Sequence, residues 1–197
     1  MRNKSMFLIL LLALGATCVR AQAKVNDYLN IPGPLQLNNA AYRLAWSAHP
    51  NNNYYKQEYL VPGETLEKFN SLVTIDFLKG DFQPGDLVSQ KVEELKKLQA
   101  SNPLVNYNVY EKDQQYILDF LVSQSSADGK QLLIVERNVY RYQRNANPEQ
   151  PGVLLLCASQ RAYGNGIESF LKKLKTDKMK LVNEVAAYKM PAVSAKQ

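Results

Sequence analysis

The feature that most constrains this chain is the alternation of apolar and polar residues across its second half. Between residues 116 and 122, Tyr, Leu, Phe and Val occupy every second position, which is the period of a half-buried strand. Asp128-Gly129 follows, and both residues tolerate positive φ, as a tight hairpin turn requires. Leu132–Arg144 and Val153–Tyr163 then form two long strands, the second nearly all apolar in its first half and therefore expected at the centre of a sheet. Since consecutive strands joined by tight turns pair antiparallel, the sequence predicts an antiparallel sheet.

Four shorter segments also show strand periodicity. They are predicted at Tyr42–Trp46, Tyr55–Val61, Leu72–Leu78 and Val105–Val109. In the first of these strands, Tyr42, Leu44 and Trp46 are expected on one face. A turn that begins at His49 is expected to join the first strand to the second in a hairpin with a long loop.

Two main helices accompany these strands. Asp86 is expected to N-cap the first helix, because its carboxylate can accept backbone N–H groups. The second follows a glycine-rich break at residues 164–166, and its apolar arc runs through Ile167–Tyr188 with one lysine, Lys178, inside it. A short helical turn is expected at Thr65–Asn70. The predicted fold class is α+β: an antiparallel sheet of about six to seven strands with two main helices packed on it as a sandwich, after a cleaved signal peptide.

Residues 1–23 have the features of that signal peptide. Arg2 and Lys4 form a positive start, and Met6–Leu14 is an apolar run of nine residues. A membrane-spanning helix needs about 20 such residues. The run is therefore typical of a signal sequence, and a retained single-pass anchor is the alternative.

Cleavage is expected after Ala21-Gln22-Ala23, which makes Lys24 the first mature residue; cleavage before Gln22 is the alternative. Cys18 could carry a lipid, but its preceding residues do not match a lipobox. The protein is therefore predicted to be exported, either periplasmic or extracellular, with no transmembrane helix in the mature chain.

The rest of the chain is expected to form one domain. An extended N-terminal arm is predicted at 24–41, a single α+β domain at 42–190 and a flexible tail at 191–197. The whole chain has 24 Lys and Arg against 18 Asp and Glu, a formal charge of +6. Three of those cations lie in the predicted signal peptide, which contains no acid, so the mature charge falls to +3. Composition therefore does not favour a nucleic-acid partner.

Few residues suit catalysis or metal binding. The chain has one His, His49, and two Cys, of which Cys157 alone follows the signal peptide. A multi-His metal cage is excluded, and no cofactor motif is present. We predict no catalytic, cofactor-binding or metal-binding residues. The enzymatic alternative is a small hydrolase that uses Cys157 or Asp119 with His49.

One segment carries a resemblance to known proteins. Glu58–Phe69, followed by Thr74-Ile75, resembles a segment of small exported bacterial proteins of unknown function. The strand order is similar to that of Mog1/PsbP-like α+β sandwiches. The resemblance covers less than a tenth of the chain; it implies a fold and supplies no site residues.

Binding is the function that these observations favour. Twelve tyrosines are present, and many lie on predicted strands, where an aromatic body with a polar tip suits a binding surface. They include Tyr54, Tyr55, Tyr59, Tyr107, Tyr110, Tyr140 and Tyr142. The lysines of 172–180 could contact an anionic lipid or polysaccharide. We expect a non-catalytic exported domain that binds an envelope protein or glycan; a small-ligand carrier with an apolar pocket between sheet and helix is a further alternative.

Overall fold

Eight strands form one antiparallel sheet that curls into a half-barrel. The structure, a computed structural model, describes residues 25–196. The order across the sheet is β1-β2-β3-β4-β8-β7-β6-β5, so β4 and β8 pair at its centre. The strands are β1 (Leu35–Leu37), β2 (Ala40–Asn51), β3 (Tyr54–Leu60), β4 (Ser71–Lys79), β5 (Asn106–Lys112), β6 (Gln115–Ser125), β7 (Leu132–Arg144) and β8 (Gly152–Tyr163).

Two helices pack on opposite faces of this sheet. Helix α1 (Pro84–Gln99) lies against β5, β6 and β7, on the face that Val153 and Leu155 of β8 share, which we call the α1 face. Helix α2 (Ile167–Ala187) lies against β6, β7 and β8, on the α2 face, which Leu154 and Leu156 share. Because every residue from Val153 to Ala158 is buried, β8 needs apolar side chains at consecutive positions, and its predicted central place is confirmed.

The predicted sandwich of six to seven strands is wrong, because residues 25–196 form one eight-stranded curled sheet. The additional strand is β1, which lies in the segment expected to be an extended arm. Asn38 and Asn39 have φ of 50° and 59°. Asparagine tolerates this left-handed conformation, so the pair forms a two-residue hairpin turn that joins β1 to β2.

Both ends of the described chain pack against the sheet. Leu29 and Ile31, in the segment before β1, are buried in the core of the α2 face. At the other end Val193 is fully buried, and the backbone N–H of Lys196 donates to the carbonyl of Tyr28 at 2.8 Å. Residues 191–196, part of the segment expected to be a tail, therefore lie against the sheet through an apolar side chain and a backbone hydrogen bond.

Three local expectations also differ from the structure. Strand β2 continues through His49 to Asn51, so the turn after it is short. Helix α1 begins at Pro84, whose fixed φ suits the first turn, and its N-cap is Gln83 rather than Asp86. Residues 65–70 form bends and no helix.

Arg141 holds the C-terminal end of α2 against the sheet. Its Nη1 donates to the carbonyls of Val185, Ala186 and Tyr188 at 3.2, 3.0 and 2.7 Å. These carbonyls lack partners within the helix, and a cation also interacts favourably with the negative end of the helix dipole. The strand residue therefore fixes where α2 ends.

The predicted signal peptide 1–23, the expected cleavage before Lys24 and the lipidation alternative at Cys18 all lie outside the described residues. Within residues 25–196, neither helix combines the length and the apolar character needed to cross a membrane.

Candidate functional site

Strands β2, β3 and β4 expose a group of polar and aromatic side chains on the α1 face, beyond the strands that α1 covers. Trp46 pairs with Glu58 across β2 and β3, and Lys56 pairs with Asp76 across β3 and β4. Directly paired residues point to the same side of an antiparallel sheet, about 5 Å apart. These four residues, with Tyr54, form a contiguous group that we call the open face.

A β-bulge places Trp46 on the open face. The register shifts between Leu44, which pairs with Tyr59, and Trp46, which pairs with Glu58. An extra residue in one strand reverses the facing of the side chains that follow it. Tyr42 and Leu44 therefore pack into the core of the α2 face, whereas Trp46 turns to the opposite side, so the expectation that all three share one face is wrong.

Trp46 is the chain's single tryptophan, and its side chain is 40% exposed. A large aromatic side chain usually gains stability from burial, worth about 1.5–3 kcal/mol for a full-sized apolar group. An indole left this accessible beside polar groups forms an apolar platform with hydrogen-bonding neighbours.

The polar members of the open face hold one another in place. Lys56 Nζ lies 2.9 Å from Glu58 Oε1 in an ion pair. The Tyr54 hydroxyl donates to Asp76 Oδ1 at 3.0 Å. Asp76 pairs with Lys56 across β3 and β4, so the group contains one ammonium and two carboxylates.

This arrangement changes the pKa values of the group. Burial raises the pKa of Asp76 from its usual 3.8 to about 6, although the nearby Lys56 charge and the Tyr54 hydrogen bond act in the opposite direction. Burial tends to lower the pKa of Lys56, but the charge of Asp76 and the contact with Glu58 outweigh it, so that pKa is raised. The lysine therefore stays charged at neutral pH, while Asp76 changes its charge near pH 6.

The tyrosines singled out in the sequence divide between the two faces. Tyr55 and Tyr59 are buried in the core of the α2 face. Tyr140 and Tyr142 lie on the α1 face, where neither hydroxyl forms a hydrogen bond with another described residue. Burial raises the pKa of both phenols, so their hydroxyls remain protonated donors. The tyrosine-bearing strands thus contribute to a surface only in part.

The three residues of the hydrolase alternative do not lie together in the structure. Cys157 is buried beneath α1 on the α1 face, and burial raises the pKa of its thiol well above the usual value. His49 lies on the α2 face, where its ring stacks on Tyr55 with centroids 4.0 Å apart. Asp119 lies on the α2 face in β6, and four strands separate β6 from the β2 strand of His49. No pair of the three shares a site, so the structure gives no support to that mechanism.

Asp119 has a structural partner instead. Its two carboxylate oxygens accept hydrogen bonds from Nε and Nη2 of Arg137 at 2.9 and 3.3 Å, and both side chains are 4% exposed. Arg137 Nη2 also donates to the carbonyl of Lys178 in α2 at 2.6 Å, and Lys178 Nζ approaches Asp119 at 4.0 Å. The lysine inside the apolar arc of α2 is thereby explained, because it lies above a buried carboxylate.

The segment that carries the family resemblance forms the connection from β3 to β4. Glu64 accepts hydrogen bonds from the backbone N–H groups of Asn70 and Ser71 at 2.9 and 3.3 Å. Phe69 packs with Leu72 beside the open face, and Arg161 stacks on its ring at 4.0 Å. These contacts indicate that the segment shapes a wall of the open face. Among residues 25–196, no three His, Cys, Asp or Glu side chains gather as metal ligands.

A comparison with protein families shows which family the chain belongs to. A family model matches residues 29–190, which includes all eight strands and both helices. The chain belongs to that family. Its members are uncharacterised and have no assigned function, as the sequence led us to expect, and the match does not show a relationship to Mog1/PsbP-like proteins. No curated protein and no solved structure matches the chain.

Sequence reasoning missed the open face as a unit. In the sequence, Lys56 and Glu58 are only polar positions of one predicted strand, and Asp76 is a polar position of the next. Their proximity depends on strand register, which alternation alone does not determine. The available signal was the single tryptophan beside a strand of alternating charge.

Proposed function

We propose that this protein is an exported, non-catalytic domain that binds a neutral saccharide of the cell envelope on its open face. The observation that carries the proposal is the exposed Trp46 directly opposite Glu58, with Lys56 and Asp76 on the next rows of the same face. An aromatic platform beside fixed donors and acceptors is the chemistry that recognises a sugar ring, which has an apolar C–H side and hydroxyl edges.

The charges of the open face favour a neutral saccharide over an anionic polymer. Lys56 is its one cation and is already paired with Glu58, while Asp76 adds a second carboxylate. A polyanion would meet more negative than positive charge on this surface. Sugar hydroxyls can both donate and accept hydrogen bonds, so they can interact with the carboxylates and with the ammonium.

The same charges argue against a protein partner at this position. The centre of a protein–protein interface is usually depleted in charged residues, which concentrate at its rim. Here Lys56, Glu58 and Asp76 occupy the centre of the exposed group, and Trp46 lies at its side on β2.

Preorganisation supports binding by these particular groups. The Lys56–Glu58 ion pair and the Tyr54–Asp76 hydrogen bond already fix the polar atoms in the free protein. Ordering a side chain on binding costs about 0.5–1.5 kcal/mol, so groups that are already held lose less on contact with a ligand. The export part of the proposal rests on the apolar run and positive start of residues 1–23.

The proposal is tested by isothermal titration calorimetry with neutral oligosaccharides, using cellotetraose, maltotetraose and the tetramer of N-acetylglucosamine as probes. We expect at least one of them to bind. Trp46→Ala should weaken that binding about tenfold or more, equivalent to about 1.4 kcal/mol. Glu58→Gln should also weaken it, because the neutral amide replaces a charged acceptor.

Leu98→Ala is the matched control. Leu98 is a large apolar residue that is 46% exposed on α1, away from the open face, and its removal should leave binding unchanged. Equal losses in the Trp46 and Leu98 variants, or no heat with any of the three probes, would contradict the proposal.

A second candidate function, glycoside hydrolysis, is favoured by one observation. Asp76, with its pKa near 6, lies diagonally across from Glu58 on the neighbouring strand. A carboxyl with a raised pKa near a second carboxyl is the arrangement that glycoside hydrolysis uses. Release of new reducing ends from a bound oligosaccharide, abolished by Asp76→Asn, would establish hydrolysis and overturn the non-catalytic assignment. We expect no release.

A further inference from the structure

A cavity of about 250 Å³ lies on the α2 face, between α2 and the sheet. None of the five residues of the open face lines this cavity. Polar residues from several elements line the cavity. They are Asn38, Asn70, Arg137, Gln160, Arg161, Lys173, Asp177 and Lys180.

Arg137 contributes a buried guanidinium to the cavity. Its Nε and Nη2 donate hydrogen bonds to Asp119, and Nη2 also donates to the carbonyl of Lys178. Three hydrogen bonds therefore fix the position of the guanidinium. Nη1 forms no hydrogen bond with another described residue. Because Arg137 lines the cavity, this nitrogen is the donor that remains for a ligand.

Lys173 and Lys180 flank the cavity from α2. They are seven residues apart, which places them on one side of the helix two turns from each other. Asp177 lies between them and offsets one of the two charges, while Asp119 offsets Arg137. The cavity therefore keeps a positive excess, with cationic donors arriving both from the sheet and from the helix.

The geometry favours a phosphate monoester over a carboxylate. Arginine holds a planar carboxylate best through two parallel N–H bonds, and Asp119 already occupies the Nε and Nη2 edge of Arg137. Donors that approach from separate directions instead suit a tetrahedral group with three acceptor oxygens and a charge near −2. Asn70 and Gln160 add amide groups, and Phe170 and Leu174 add apolar surface for the carbon part of the ligand.

We propose that this cavity binds the phosphate monoester of a small organic molecule or of a larger molecule's end group. The proposal is independent of saccharide binding on the open face. Neither Lys173 nor Lys180 packs in the core, so both can be changed without removing a buried side chain.

The test is calorimetric titration with glycerol 1-phosphate at pH 7.5, with glucuronate as the carboxylate comparator. We expect glycerol 1-phosphate to bind and glucuronate to bind more weakly. Lys173→Gln and Lys180→Gln should each weaken phosphate binding about fivefold or more, because each removes one charge-assisted contact. Lys175→Gln is the matched control, since this exposed lysine of the same helix does not line the cavity.

Three results would overturn the proposal: no binding of glycerol 1-phosphate, tighter binding of glucuronate, or an equal loss in the Lys175 variant, which would indicate general attraction to the helix. Trp46→Ala should leave phosphate binding unchanged, so failure here is distinguishable from failure of saccharide binding. Cosedimentation with vesicles that contain phosphatidic acid, and that depends on Lys173 and Lys180, would assign the phosphate to a lipid headgroup. Binding of soluble phosphate esters without such cosedimentation would assign it to a soluble ligand.

Discussion

Asp76 is a half-buried carboxyl whose environment links protonation to folding. Its pKa is about 6 in the folded protein and 3.8 for the ordinary group, so the folded state binds more protons than the unfolded state between these values. Stability contributed by this proton is present below about pH 4 and is lost as the pH rises through 6. Asp76→Asn should therefore reduce the fall in stability between pH 4.5 and 7.5, measured as the urea midpoint at each pH.

Asp81→Asn is the control for this pH dependence, because Asp81 is exposed in the loop after β4. That variant should keep the pH dependence of the original protein. The account is contradicted if Asp76→Asn and the unmodified protein lose the same stability across the interval.

The reactivity of the Cys157 thiol tests whether this side chain is buried in the folded protein. It is 3% exposed in β8 beneath α1, and burial keeps the thiol protonated, whereas the thiolate is the reactive form. A thiol reagent should label it slowly in native buffer and rapidly in denaturant, as followed by mass spectrometry. Rapid native labelling would show that the thiol is accessible and would reopen the nucleophile alternative.

Helix α2 is buried to different depths along its length. Replacing two of its leucines should therefore lower the free energy of unfolding by different amounts. Leu181 is 5% exposed in the main core, whereas Leu174 is half-buried in a smaller cluster with Ile167. Leu181→Ala should lower the free energy of unfolding by about 2–5 kcal/mol, because it removes a buried side chain and leaves a void. Leu174→Ala should cost clearly less in the same denaturant titration.

Lys175→Ala, on the exposed side of α2, should change stability by no more than about 0.5 kcal/mol. A larger loss for Leu174→Ala than for Leu181→Ala would contradict the packing described for this helix.

The same elements show how far the sequence could predict the fold. The bounds predicted for β7, Leu132–Arg144, match the structure, since the strand follows the recognisable Asp128-Gly129 hairpin turn. Strand β1 was missed because three residues carry too little periodicity, and because its turn depends on positive φ at Asn38 and Asn39. The facing of Trp46 was missed because a bulge is a property of the strand pair and leaves no local mark.

At the scale of the whole molecule, the sheet separates two surfaces of different chemistry. The α2 face is covered along β1–β4 by the chain ends and along β6–β8 by α2, with the cationic cavity at Arg137. The α1 face is covered by α1 over β5–β7, which leaves the open face on β2–β4. The sequence predicted that both helices would lie on sheet faces, but it could not assign them to opposite faces, because that depends on the order in which distant strands pair.

The central claim is that the open face binds a neutral saccharide, and the fluorescence of Trp46 measures it most directly. Since this is the only tryptophan in the chain, its emission reports on the open face without interference from other sites. Titration with the oligosaccharides named above should give a saturable change in emission and reduce quenching by acrylamide, with a dissociation constant equal to the calorimetric value. The claim is contradicted if no probe changes the emission at concentrations up to about 10 mM. A dissociation constant of that size corresponds to a binding free energy of about −2.7 kcal/mol.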